Sequence, residues 1–168
     1  MPARPVPWGF LDWALNQSLS YPYDEVALDK TRRDTVEALL TTLAENDFKG
    51  KVVLQTHAGE FCLLGNADVG YRLPPPELPI GQCAFIGNPV QPTDSPATHQ
   101  SLQFANFQNR TPLLANGSAI ALEIVAIPRT TPLAAYPART GDTTALEWNT
   151  AAAQNNRIIV RLEPSKPK

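Results

Sequence analysis

His57, Glu60 and Cys62 lie within six residues of one another, close enough for a base, an orienting carboxylate and a thiol nucleophile to meet. That set keeps a hydrolase-type reading of the His57/Glu60 region open as the alternative function. Two features argue against it. Cys62 has a disulfide partner available in Cys83, and no serine sits in a Gly-rich nucleophile elbow. The chain has two histidines, His57 and His99, with no i, i+4 histidine pair and no Cys-x-x-Cys, so no metal site is expected. A phosphate-binding glycine loop is also missing, and no cofactor is expected.

Cys62 and Cys83 flank a proline-rich stretch. They are either a disulfide or two buried thiols. The disulfide is the reading adopted, because both lie in one irregular segment that needs restraint. Closing a loop of this size stabilises the fold by about 3 kcal/mol, chiefly through the unfolded chain. A disulfide also implies an oxidising compartment.

The elements that must position these residues are read from periodicity. At 168 residues the chain is long enough for one domain with a real core. A net charge of −2 leaves no basic footprint for nucleic acid and no polybasic membrane patch. No apolar run approaches the roughly 18 to 20 residues that span a bilayer, and the first residues lack the apolar core of a signal peptide. Any membrane association is therefore expected through an anchor outside this chain. Seventeen prolines mark residues 2–7, 74–79, 89–96, 128–137 and 164–167 as loops or arms.

Residues 1–17 read as an N-terminal arm that docks Trp8 and Trp13, and residues 18–23 as a first strand. Asp29 is placed as the N-cap of a helix carrying Val36, Leu39, Leu40, Leu43 and Ala44 on one face, with Gly50 as its left-handed cap. A strand over 51–57 follows. Residues 58–98 form a long excursion that holds both cysteines. Ser95-Pro96 is read as N-cap and N1 of a second helix, with Leu102, Phe104 and Ala105 inward and Asn106 and Asn109 on its wet face. Tyr71-Arg72 is expected to pack the excursion down. Residues 119–127 are apolar on both faces apart from Glu123 and so predict a central strand. Thr144 and Glu147 form a capping-box pair before an alanine-rich turn or helix over 143–154. Ile158, Val160 and Leu162 alternate through a last strand, with residues 164–168 as a solvated tail.

This order resembles the OmpA-like, peptidoglycan-associated domain family over about Ser18 to Leu162, as a divergent member with the 58–98 insertion. Tyr21-Pro22-Tyr23-Asp24 is similar to the family's aromatic–Asp entry into its first helix. Val52 to His57 resembles the strand leading to Gly-His-Thr-Asp, and Asn155-Asn156-Arg157-Ile158 its closing Asn-Arg-Arg-Val. The resemblance implies an α/β (α+β) two-layer sandwich, β-α-β-α-β, with a mixed sheet of about four strands and two main helices on one face. It also implies a non-catalytic periplasmic module of the Gram-negative cell envelope.

The family's charged clamp, which holds the amine and carboxylate of a diaminopimelate side chain, is not in register. Gly59 falls at the aspartate position and Phe104 at the arginine position. The ligand would then be peptidoglycan held by Glu60 and Arg157 in a polar pocket with His57 and Asn155. Alternatively, an envelope protein would be bound through an apolar patch around Phe104, Trp8 and Trp13, and the module would act as a scaffold.

Overall fold

The computed structural model describes residues 19–165. The arm with its two tryptophans and the last three residues of the tail lie outside them. The result is an α+β protein with three α-helices among the described residues and two small sheets, one of them mixed.

Asp29 caps the first helix, α1 (Lys30–Glu45), by accepting hydrogen bonds from the Thr31 and Arg32 amides. The predicted apolar stripe buries Val36, Leu39, Leu40 and Leu43. The left-handed residue after the helix is Asp47 (φ 59°), not the expected Gly50. Gly50 instead opens the next strand at φ 147°, where a Cβ would sit 2.3 Å from the Glu163 carbonyl oxygen. The glycine is needed because a strand passes too close for a side chain.

That strand, β1 (Gly50–His57), is the centre of the main sheet. It pairs in parallel with β5 (Ile120–Ala126) and antiparallel with β6 (Arg157–Pro164). The 119–127 segment was expected to be central, but β5 is an edge. Its two-faced apolar character reflects helix cover on one side and only partial cover on the other. The expected strand at 18–23 is reduced to one bridge, Ser20 with Arg157, which continues the sheet beyond β6. Val52 and Leu54 of β1, Ile120 of β5, and Ile158 and Val160 of β6 face α1 and Phe104 in one core.

The second helix, α2 (Leu102–Arg110), starts at Ser101, whose hydroxyl accepts from the Phe104 amide. Ser95-Pro96 does not start it. Ser95 closes a local turn with Thr98 through mutual side-chain and backbone bonds, the competing use of a serine. Phe104 is fully buried as predicted, while Leu102 is 73% exposed rather than inward, because residues two apart on a helix point roughly 200° apart and cannot share the core face. Asn106 and Asn109 are on the wet face.

The 58–98 excursion is not a loop. It folds its own antiparallel sheet, with β2 (Phe61–Asn66) between β3 (Gly70–Arg72) and β4 (Phe85–Gly87). Asn66 turns the β2–β3 hairpin by accepting from the Asp68 and Val69 amides. Cys62 and Cys83 form the disulfide, 21 residues apart. The third helix, α3 (Ala145–Asn155), is capped by Thr144 at the Glu147 amide. It presents Ala145, Trp148 and Ala152 to this second sheet, against Cys62, Ile80, Phe61 and Leu63. Tyr71 packs on Phe85 at 5.1 Å, as the packing reading required. The two sheets meet at the carboxyl end of β1.

Candidate functional site

The chain from β1 into β2 passes through Ala58-Gly59-Glu60, and every backbone polar group of Gly59 and Glu60 is held. Gly59 donates to Asn156 Oδ1 at 3.0 Å, and its carbonyl accepts from Asn88 Nδ2 at 3.1 Å. A Cβ at Gly59 would lie 2.1 Å from the Ala152 carbonyl oxygen, so only glycine fits against α3. The Glu60 amide donates to the Tyr136 hydroxyl at 2.8 Å, and its carbonyl accepts from the Trp148 indole at 2.7 Å. Tyr136 and Trp148 are themselves stacked at 4.5 Å, and Arg139 lies over Trp148 at 4.8 Å. Glu60 is therefore placed by a rigid frame, as a binding carboxylate must be.

Its cleft, of about 470 Å³, is lined by Tyr71, Phe85, Asn88 and Arg129 among others. Arg129 follows β5 as Glu60 follows β1, each three residues beyond the strand end. Because β1 and β5 are parallel neighbours, one negative and one positive side chain leave the same end of the sheet together. The carboxyl end of parallel strands is where open α/β sheets bind ligands.

Arg129 is fixed by Asp94. Its Nε and Nη2 donate to the carboxylate, with Nη2 at 2.7 Å from Oδ1, and its backbone amide donates to Oδ2 at 2.9 Å. Burial pushes the Asp94 carboxyl up, but the bonds from Arg129 outweigh it and the net shift is downward. The same bonds raise Arg129 against its own burial. Asp94 largely neutralises Arg129, so Glu60 carries the uncompensated charge of the cleft.

The four residues singled out in the sequence do not share one cleft. His57 and Arg157 are register partners on β1 and β6. Arg157 lines a separate cleft of about 510 Å³ with Ser20, Asn149, Thr150 and Gln154. His57 is buried, with Nε2 lacking a hydrogen-bond partner among the described residues. Burial, then the nearby Arg157, lowers its pKa. Asn155 is also buried. Its amide pins the 134 loop by accepting from the Ala134 amide at 2.7 Å and donating to its carbonyl at 2.9 Å. Phe104 is core, packed edge-to-face on Phe107, and forms no surface patch.

One arrangement has the outline of a hydrolytic triad. Thr56 Oγ1 is 2.7 Å from His99 Nδ1, and His99 Nε2 is 3.1 Å from Asp94 Oδ1. With Asp94 ionised, His99 donates from Nε2 and accepts the Thr56 hydroxyl at Nδ1. Both Thr56 and His99 have 0% exposure, so no substrate reaches that hydroxyl. Burial lowers the pKa of His99 against the pull of Asp94, leaving it neutral. The trio ties β1 to the 94–99 segment and so steadies Arg129. Among the described residues, no cluster of three or more His, Cys, Asp or Glu side chains could hold a metal ion.

Arg129, Asp94, Asn88, Gln91, Tyr136 and Asn156 were not singled out from the sequence. For Arg129 a signal existed: a charged residue just past a strand parallel to β1. The others meet only through tertiary structure. Compared with known proteins, the chain matches no family model, no curated protein and no solved structure. Among the described residues no helix is long and apolar enough to cross a membrane. The disulfide is of the kind that persists in oxidising, extracytoplasmic compartments.

Proposed function

We propose that this chain is a non-catalytic, OmpA-like module of the bacterial cell envelope that binds peptidoglycan in the periplasm through the Glu60–Arg129 cleft. The observation that carries the reading is the pair of opposite charges leaving adjacent parallel strands at the same sheet end, beside the aromatic wall of Tyr71 and Phe85. Glu60 would take the amine of a zwitterionic stem-peptide side chain, and the guanidinium of Arg129, shared with Asp94, would meet its carboxylate. The helix–strand–helix–strand succession α1-β1-α2-β5, with α1 and α2 packed on the core of the main sheet and the Ser20–Arg157 bridge at its far edge, supports the family reading. In this reading Glu60 keeps the part expected of it, and Arg129 takes the part first given to Arg157. The hydrolase alternative has no support in the buried Thr56 trio.

Co-sedimentation of the purified protein with isolated sacculi tests this. Each charge-assisted bond contributes roughly 1.5–3 kcal/mol, so Glu60→Gln should weaken binding about tenfold or more. Arg157→Ala should leave it unchanged. No binding by the wild type, or binding indifferent to Glu60→Gln, refutes the proposal and returns the module to a scaffold role toward an envelope protein.

A further inference from the structure

The β5 edge of the main sheet, which pairs with no further strand among the described residues, carries a second inference, independent of what the cleft binds. β5 is a seven-residue edge strand, Ile120-Ala121-Leu122-Glu123-Ile124-Val125-Ala126. Natural edges are blunted by lysine, proline, a bulge or shortness. This one has no lysine or proline, and its register with β1 runs unbroken from Ile120 to Ala126. Its single charge, Glu123, is turned to a neighbouring strand, 3.0 Å from Lys51 of β1.

The ladder fixes which groups point outward. Gly50 donates to the Ala119 carbonyl at one end, and Ile127 donates to the Thr56 carbonyl at the other. In a parallel ladder this directs the amides and carbonyls of Ala121, Glu123 and Val125 to β1. Those of Leu122, Ile124 and Ala126 then point away from it, with no partner among the described residues.

We propose that β5 pairs with β5 of a second copy, antiparallel about a twofold axis through Leu122, to give one continuous six-stranded sheet. This register follows from charge and hydrogen bonding together. Centring on Glu123 would oppose two carboxylates, which is destabilising. Centring on Ile124 would set each Glu123 against Val125. Centring on Leu122 makes Leu122–Leu122 a reciprocal hydrogen-bonded pair and sets Ile124 against Ile120. Each Glu123 then faces Ala121 of the second copy. Ala121 is beside Lys51 in the ladder, and its small side chain leaves room above it. Each Glu123 keeps its own Lys51 on one side and has Lys51 of the second copy beyond Ala121 on the other, with the two carboxylates set diagonally rather than directly opposed. The paired edge is small, so the dimer is weak and concentration-dependent.

Sedimentation velocity of the whole chain from roughly 5 µM to 1 mM tests this, because a small interface should populate dimer only across such a range. Leu122→Pro removes an outward amide while sparing the ladder to β1. Glu123→Lys gathers four ammonium groups around the axis with no carboxylate among them. Each should weaken the dimer at least tenfold, and the swap Lys51→Glu with Glu123→Lys should restore it. Melting curves confirm that each variant is folded, and Glu123→Lys carries the test if Leu122→Pro is not. A monomer at every concentration, or a dimer unmoved by these changes, overturns the proposal.

Discussion

Replacing Asn156 with alanine removes the side chain on which three separate segments converge. Asn156 has 0% exposure and sits at the α3–β6 junction. Its Oδ1 accepts from the Gly59 amide at 3.0 Å and from Asn88 Nδ2 at 3.3 Å. Its Nδ2 donates to the Tyr21 carbonyl at 2.7 Å and the Pro22 carbonyl at 3.2 Å. Two of these partners have compensation, since Asn88 Nδ2 also reaches the Gly59 carbonyl and the Pro22 carbonyl also accepts from Glu25. The Gly59 amide and the Tyr21 carbonyl have none. Two buried groups at about 1–3 kcal/mol each, softened by water entering the space, give a loss of about 3–4 kcal/mol. For a chain of this length that lowers Tm by about 10 °C. Urea unfolding followed by tryptophan fluorescence, with an unchanged slope, is the assay. Asn156→Asp supplies an internal check on the reasoning. It keeps the acceptor but turns a carboxylate oxygen toward two carbonyls. Its deficit relative to wild type should exceed that of the alanine variant at pH 7 and shrink near pH 5, as the introduced acid protonates and donates. A loss below about 1 kcal/mol for Asn156→Ala, or a deficit of Asn156→Asp that grows on acidification, would refute the account of this junction.

Other consequences can be measured alongside. Reducing the Cys62–Cys83 bond should lower stability by about 3 kcal/mol and speed hydrogen exchange in β2–β4, while β1, β5 and β6 stay protected; a collapsed far-UV spectrum would contradict this. Gly59→Ala forces a Cβ onto the Ala152 carbonyl and should yield little folded protein, whereas Gly141→Ala, in open space, should melt like wild type. Phe104→Ala should cost about 3–5 kcal/mol, read from denaturant midpoints, and a near-neutral result would mean the core there can collapse. His57 and His99 have folded pKa values below their unfolded ones. Their contribution to stability is complete above the unfolded value of about 6.5 and is lost as pH falls below it. Tm should therefore drop between pH 7.5 and 5, and a rise would show the histidines to be charged in the fold.

The parts of this molecule that could be read from sequence are those set by local rules. Asp29 and the Val36-to-Leu43 stripe specify α1 with its cap, and Thr144 specifies α3. The alternation of Ile158 and Val160 specifies β6. Each signal lies within one or two turns of chain. The errors share a cause as well. Ser95-Pro96 satisfies a helix start locally, yet Ser101 lies nearer the residue that must be buried, Phe104, and burial decides. The 119–127 segment looks central because both its faces are apolar, but periodicity cannot tell a covered face from a free edge. The prolines around 74–79 and 89–96 mask the short strands of the excursion, whose stability comes from α3 and the disulfide rather than from their own length.

The candidate site shows the same limit from the other side. In sequence, Glu60 reads as one half of a rebuilt clamp because it lies three residues past His57, and Arg157 as the other half because it aligns with the closing motif of the resemblance. The sheet separates them. β6 lies on one flank of β1 and β5 on the other, so a cation that leaves the sheet with Glu60 must follow the parallel neighbour. Arg129 is that residue, at a distance of 69 in sequence from Glu60 by numbering alone. Its position depends on Asp94 and Gln91, inside the excursion, and on the buried contact of His99, just after it, with Thr56 of β1. The excursion therefore does more than link β1 to α2. It brings the carboxylate that orients Arg129, the aromatic wall of the cleft, and the Asn88 that holds the Gly59 turn. Trimming residues 61–87 to a short loop would keep the three main strands but remove the wall, and the cleft would be lost with it.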